Sequence, residues 1–302
     1  MPEPLSDSKC LIFGCGYLGS RVARRWHDTG ARVTMVTRSA IKAEQFRRRG
    51  YQALVADITR PETLGELPGA EVILFSVGFD RSTGSTIHQV YADGMRHVLS
   101  RLPTPATTRL IYISTTGVYG SREGSGIQEA WVDEHQPTQP QRAGAQASLA
   151  AEQQLADHPL GKHAVILRMA GLYGPGRIPY LEKIRAGQPL AVPQKGWLNL
   201  IHVDDGAATV LAAGRWSATN AQGPVLFNVT DGRPVVRGDY YREVARRIGA
   251  PVPRFTTPDA NLPATVRAAT SKRISNEKLL NTFSVKLAYP SYREGLADAL
   301  GP

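Results

Sequence analysis

Cysteine is scarce in this chain of 302 residues, which holds only Cys10 and Cys15. On an extended strand the two would lie roughly 16 Å apart at ~3.3 Å per residue. A disulfide needs α-carbons within about 7 Å, so a bridge is excluded. No His stands beside them at ligand spacing, and both read as small buried hydrophobes rather than metal ligands. Long apolar runs are missing as well: none approaches the ~18–20 residues that span a bilayer. The opening MPEPLSDSK lacks a basic segment followed by an apolar core, so the expectation is a cytoplasmic protein without a secretory signal. Acids are outnumbered, 26 Asp and Glu against 36 Lys and Arg, for a net charge of +10. Such an excess raises the question of nucleic acid. However, the cations fall in short separate clusters, Arg24-Arg25, Arg47-Arg48-Arg49, Arg246-Arg247 and Lys272-Arg273. No aromatics interleave them as a base-stacking platform requires. They read as solvated helix faces, and nucleic acid is not expected as a partner.

What is present is a regular alternation. KCLIFG (9–14), RVTMVT (32–37), QALVAD (52–57), EVILFSV (71–77), RLIYIST (109–115) and HAVILRM (163–169) are short apolar runs. Helical patterns separate them at 17–29, 39–49, 85–102 and 144–157. Strands that are apolar throughout, with helices between, imply a parallel sheet buried on both faces. The fold class is therefore α/β, a Rossmann-type doubly wound parallel sheet. After residue 170 the texture changes to Gly/Pro loops and shorter elements. The expected division is a dinucleotide-binding domain over 1–170, with 201–231 returning to it, and a smaller, discontinuous C-terminal substrate region over 171–200 and 232–302.

GCGYLG (14–19) places Gly14, Gly16 and Gly19 in G-x-G-x-x-G spacing directly after an apolar strand and at a helix start. That context makes it a dinucleotide fingerprint. Gly14 permits the tight turn, Gly16 lets a pyrophosphate approach the backbone, and Gly19 lets helix and strand pack closely. Tyr17 and Leu18 complete the turn, and the helix N-terminus beyond them favours anions. NAD readers carry an Asp or Glu about 20 residues on, to accept from the ribose 2′-hydroxyl. Here that place reads Thr37-Arg38-Ser39. Arg38 can fork onto a 2′-phosphate with Ser39 as a hydroxyl donor, so NADP is preferred, with NAD as the other candidate. Asp57 can accept from the adenine amino group or cap the turn that follows it. Ser76, Val77 and Gly78 end the fourth strand with side chains small enough for a cofactor to cross the sheet edge.

Four motifs together carry a resemblance: GCGYLG, STTGVYG (114–120), RMAGLYGPGR (168–177) and IHVDD (201–205). The chain resembles the extended short-chain dehydrogenase/reductases, the NAD-dependent epimerase/dehydratase family, and its closing SNEKLL and YPSYREGL look like the atypical YeeZ-like subgroup. The resemblance spans essentially the whole chain. It implies a nicotinamide cofactor, hydride transfer, a Tyr-x-x-x-Lys acid/base pair and a Ser/Thr that aligns the substrate oxygen. The last maps to Thr115, four residues before Tyr119. The helix SLAAEQQL (148–155) matches the family register that puts Gly144 at the Tyr position and Ser148 at the Lys position. Residues 141–157 contain neither Tyr nor Lys. Acid–base help is typically worth ~10²–10⁴-fold, so ordinary family chemistry needs another group. Tyr119 and Arg142 are the candidates to stand with Thr115, although Arg142 stays protonated and cannot be a general base. His202 reads as a satisfied core histidine.

Two readings follow. One is an NAD(P)-dependent oxidoreductase or epimerase with an atypical site, acting on a small polar, sugar-like molecule. The other is a non-catalytic NADP-binding redox sensor or interaction protein.

Overall fold

The structure, a computed structural model, describes residues 6–105, 108–120, 131–216, 221–257 and 271–301. The chain divides into two compact units. The first comprises Met1–Thr115, Ala143–Arg168 and Ala207–Phe227, and the second comprises Thr116–Arg142, Met169–Gly206 and Asn228–Pro302.

The first unit is built on β1 (Lys9–Phe13), β2 (Arg32–Thr37), β3 (Gln52–Val55), β4 (Val72–Phe75), β5 (Arg109–Thr115), β7 (Val165–Met169) and β11 (Val225–Val229). They form one sheet in the order β11-β7-β5-β4-β1-β2-β3. The pairings of β1 with β2 and β4, of β2 with β3 and of β4 with β5 are all parallel. Every residue of β4 and β7 is buried, which is why those strands carry almost no polar residues. Helix α1 (Gly19–Asp28) buries Gly19, Val22, Ala23 and Trp26, the i, i+3, i+4, i+7 stripe of a surface helix. Ser39 caps α2 (Ala40–Arg48), its Oγ accepting from Lys42 N at 3.2 Å. The helix expected over 85–102 is a π turn at Gln89–Asp93 leading into α3 (Gly94–Leu99). A Cβ on Gly94 would meet Ile58 Cδ1 at 2.6 Å, so glycine lets this segment lie against the β3–β4 connection. Helix α4 (Ala143–Asp157) and α6 (Val203–Arg215) complete the helices referred to below. Successive strands run outward from β1 in both directions, so the chain reverses between β1 and β4. Their carboxyl ends form the crevice where ligands of such sheets bind.

The second unit holds three two-stranded pairs: β8 (Gly171–Tyr173) with β10 (Leu200–His202), β9 (Trp197–Leu198) with β12 (Val235–Val236), and β6 (Trp131–Val132) with β13 (Arg273–Ile274). Its core packs Tyr173, Leu200, Tyr240, Tyr241, Tyr292 and Leu296 among helices α5 (Leu181–Arg185), α7 (Arg237–Arg247) and α9 (Tyr292–Leu300), with α8 (Glu277–Phe283) preceding the last. Gly295 is required there, because a Cβ would overlap the Tyr173 hydroxyl.

The boundaries differ from the sequence-based division over 116–142, 169–170, 201–206 and 228–231, all of which fall in the second unit. Residues 116–142 belong with the second unit, since β6 pairs with β13 and Tyr119 donates to Asn228 Oδ1 at 2.9 Å. Residues 201–206 stay there too, through the β8–β10 ladder. Neither partner lies close in sequence, so no local pattern announces the pairing.

Candidate functional site

The residues singled out for the cofactor converge at the carboxyl ends of adjacent strands of the first unit. Gly14 follows β1 with φ +92°, in the left-handed region that glycine alone enters freely. A Cβ there would overlap the Ser76 carbonyl, and one on Gly19 would overlap the Gly14 carbonyl. Ser76 locks the turn from β4, its N–H donating to Phe13 O at 2.8 Å and its Oγ to Gly14 O at 2.9 Å. Around Gly16, by contrast, none of the described residues lies within 4 Å of where a Cβ would stand. The three glycines thus divide as the fingerprint demands: two closed by backbone, one open. Leu18 is buried, while the Arg21 guanidinium lies 4.3 Å from the centre of the Tyr17 ring. Helix α1 has no acid in its first turn and no side-chain cap, so its own first turn leaves the N-terminus favourable to an anion. Val77 is half-buried, and Gly78 has open space on its Cα.

Arg38 stands just past β2, with Nη2 3.4 Å from Asp80 Oδ2. Asp80 was missed in the sequence, for it lies 42 residues away in the loop after β4. Hydrogen bonds from the Ser82 hydroxyl and N–H, together with the Arg38 charge, hold its carboxyl below the usual range. Ser39 uses its Oγ as the α2 cap. Asp57 Oδ1 accepts from Thr59 N at 2.9 Å and from Thr59 Oγ1 at 2.7 Å, so of its two roles the turn cap is the one seen. The thiols of Cys10 and Cys15 are free, and burial pushes each up to about 12, leaving them unreactive.

Of the catalytic candidates, Thr115 is half-buried at the carboxyl end of β5 in the first unit. Tyr119 and Arg142 fall in the second unit. Tyr119 is 1% exposed and its hydroxyl is engaged with Asn228, a placement suited to packing rather than proton transfer. Arg142 is half-buried just ahead of α4. His202 is fully buried, its Nδ1 accepting from Asp204 N at 3.3 Å and its ring tilted against that of Tyr289 with centroids 3.8 Å apart. It is a core histidine as expected, but its Nε2 faces the Asp298 carboxylate at 3.3 Å and makes no hydrogen bond among the described residues.

Helix α4 differs most from its sequence appearance. Ile87 Cδ1 lies 2.8 Å from where a Cβ on Gly144 would stand. Ser148 is buried, and its carbonyl accepts from the Tyr112 hydroxyl at 3.4 Å. Glu152, one acid in an alanine-rich stretch, is 5% exposed. Its carboxylate takes both Arg168 Nε at 3.1 Å and Nη2 at 2.6 Å, and Ser114 Oγ donates to it at 2.5 Å. A signal for this existed: Arg168 is the one cation in the apolar run VILRM, and a buried guanidinium needs a buried acid.

Two further buried groups lie in the second unit: Asp231 was not singled out, and Lys272, read with Arg273 as a solvated helix face, is instead buried beside a strand. Lys272 Nζ donates to Gly120 O at 2.7 Å, and burial, with help from the Arg142 charge, pushes its ammonium down to about 8. Burial raises the Asp231 carboxyl to about 7.

The family model for NAD-dependent epimerases and dehydratases matches residues 10–229 of the chain. Protein YeeZ of Escherichia coli K12 is 26% identical over 292 residues, covering 93% of this chain and 96% of that protein. A solved structure of a functionally unknown conserved protein from Silicibacter pomeroyi DSS is 28% identical. It superposes with a TM-score of 0.75 over 97% of this chain and 98% of that one. The Bordetella bronchiseptica enzyme WbmG, solved with NAD and UDP, reaches a TM-score of 0.76 over 98% of this chain and 94% of its own. At 18% identity that likeness is one of fold.

Proposed function

Since the chain belongs to the NAD-dependent epimerase/dehydratase family, we propose that it binds a nicotinamide dinucleotide, NADP in preference to NAD, and acts as an oxidoreductase or epimerase on a small polar, sugar-like substrate. The observation that carries this reading is the β1–α1 turn, closed by backbone at Gly14 and Gly19 and open at Gly16. A plain strand–helix turn has no need of the open position, whereas a pyrophosphate does. The residues present fit the group. Gly14, Gly16, Tyr17, Leu18 and Gly19 would hold the pyrophosphate, Arg38 and Ser39 the adenosine ribose, Asp57 the adenine, and Ser76, Val77 and Gly78 the nicotinamide half. When bound, the nicotinamide supplies a hydride acceptor or donor.

The chain's own contribution in this reading is positioning. Thr115 would align a substrate oxygen through its hydroxyl, and Arg142 would hold an anionic substrate group as a fixed cation. Tyr119, its hydroxyl held by Asn228, would serve by packing. On this reading no Tyr-x-x-x-Lys pair assists, because Gly144 and Ser148 stand at those positions, and proton transfer falls to another side chain, to substrate or to solvent. That same observation favours the second reading, a non-catalytic NADP-binding redox sensor, and the closure of Gly144 by Ile87 strengthens it.

Melting curves with NADPH, NADP, NADH and NAD separate these. A ligand at 100 times its Kd adds about 2.7 kcal/mol. Shifts led by the phosphorylated pair are expected, with Arg38→Asp reversing the order. No shift with any nucleotide ends both readings. Thr115→Ala that binds cofactor but loses turnover supports the enzyme over the sensor.

A further inference from the structure

We propose that Asp80 is a specificity-determining residue of the dinucleotide site, a carboxylate that holds Arg38 across the end of β1 and opposes a 2′-phosphate. This rests on reading the Gly14–Gly19 turn as a dinucleotide site. The sheet order sets the geometry. Strands β2 and β4 flank β1 on either side, and Arg38 and Asp80 leave those two strands. Their contact at 3.4 Å therefore passes in front of the carboxyl end of β1, where the glycine turn begins. An ion pair there straps the very edge a dinucleotide crosses.

The two partners are unequally fixed. Asp80 Oδ1 accepts from Ser82 N at 3.0 Å and from Ser82 Oγ at 2.7 Å, and it caps a short 3-10 turn at Arg81–Thr83. The preceding Phe79 N–H donates to the Tyr91 hydroxyl at 3.2 Å. The carboxylate is thus built into its loop, with Oδ2 turned to Arg38. Arg38 holds its place by a long side chain that is 46% exposed, against 50% for Asp80. Exposed pairs of this kind are weak, so a ligand can draw Arg38 away.

That inequality decides between cofactors. A 2′-phosphate carries a charge of about −1.5 to −2. To take it, Arg38 must leave Asp80, and the phosphate then sits within a Debye length, about 8 Å, of an anion that stays put. An unphosphorylated ribose meets the opposite situation: its hydroxyls can donate to Asp80 Oδ2 while Arg38 keeps its partner. Asp80 hence supplies, from β4, the acid that the end of β2 lacks, and it tempers the NADP preference that Arg38 alone confers.

The test is a set of Kd values for NADPH and NADH on the full chain, for the unaltered protein, Asp80→Asn, Arg38→Ala and the double variant, at low and high salt. Asp80→Asn keeps the loop's acceptor for Ser82. It should tighten NADPH about fivefold to tenfold at low salt and weaken NADH severalfold, with the NADPH gain shrinking at high salt and a smaller gain remaining in the Arg38→Ala background, where only the direct repulsion is relieved. If Asp80→Asn leaves both Kd values within about twofold while Arg38→Ala weakens NADPH, Asp80 has no such role and the glycine-turn reading stands. If the unaltered protein binds neither dinucleotide, the glycine-turn reading falls and this proposal falls with it.

Discussion

Glu152 of helix α4 and Arg168 of strand β7 form a two-pronged ion pair, Oε2 to Nη2 2.6 Å, with each side chain only 6% exposed. Ser114 of β5 adds a third hydrogen bond to the same carboxylate. One acid thereby ties a helix to two strands of the sheet, one turn beyond Ser148. The pair is charged, buried and fully hydrogen-bonded, so its members depend on each other.

Removing one partner should therefore cost far more than removing both. Glu152→Ala leaves a guanidinium uncompensated in the core, a loss of about 3–5 kcal/mol. Glu152→Leu with Arg168→Met should recover most of it, since buried pairs replaced by well-packed hydrophobes are often neutral. Urea denaturation of the three proteins checks this. Equal stability of the single and double variants would show that the pair has no such interdependence.

The glycines of the turn should separate into structural and ligand-facing members. Gly14→Ala forces a side chain into the left-handed region and onto the Ser76 carbonyl, so it should lower Tm by several degrees. Gly16→Ala meets none of the described residues and should leave Tm unchanged while abolishing the stabilisation given by dinucleotide. Thermal melts with and without NADPH read both effects. Retained ligand stabilisation in Gly16→Ala would remove the pyrophosphate from this turn.

Restoring the family's pair should fail by sterics before chemistry. Gly144→Tyr drives a ring into Ile87, whose Cδ1 already stands 2.8 Å from the would-be Cβ. Overpacking of that kind costs about 1–3 kcal/mol, and Ile87→Gly in the same chain should relieve it. Chemical denaturation of Gly144→Tyr with and without Ile87→Gly measures the rescue. A Gly144→Tyr protein as stable as the parent would mean that Ile87 yields freely.

Stability should fall as pH rises from about 4 to about 7, through Asp231. Burial lifts its folded-state value from 3.8 to about 7, although the Arg233 N–H donates to Oδ1 at 2.9 Å. Among the described residues Oδ2 is buried with no hydrogen-bond partner. A carboxyl whose value is raised by folding favours the folded state when protonated. That stability is fully present below the unfolded value and is lost as pH passes through the folded one. Asp231→Asn mimics the protonated form and should melt several degrees above the parent at pH 8 but level with it at pH 4. Parallel Tm curves for the two proteins across that range would rule the carboxyl out as the cause.

Legibility in the sequence followed the range of the interactions. The strands of the first unit, the helices between them and the glycine turn were readable because apolar periodicity and the steric demands of glycine act within a few residues. The burial of His202 was readable on the same local grounds, whereas Ser39, read as a phosphate donor, spends its hydroxyl on the α2 cap. Segment 85–102 was read as an unbroken helix, since nothing in its pattern announces a π turn.

The amino-acid sequence by itself determined a doubly wound α/β unit with a glycine turn at the reversal point, because both are consequences of local pattern. Only the tertiary structure decided what stands opposite each charged side chain. Arg38 meets Asp80 across 42 residues, Glu152 meets Ser114 across 38, and Lys272 meets Gly120 across 152. Strand order brings those partners together, and strand order is set by long-range packing that leaves no signature at either end. The same holds for residues 116–142, whose unit is chosen by a pairing with β13 far along the chain.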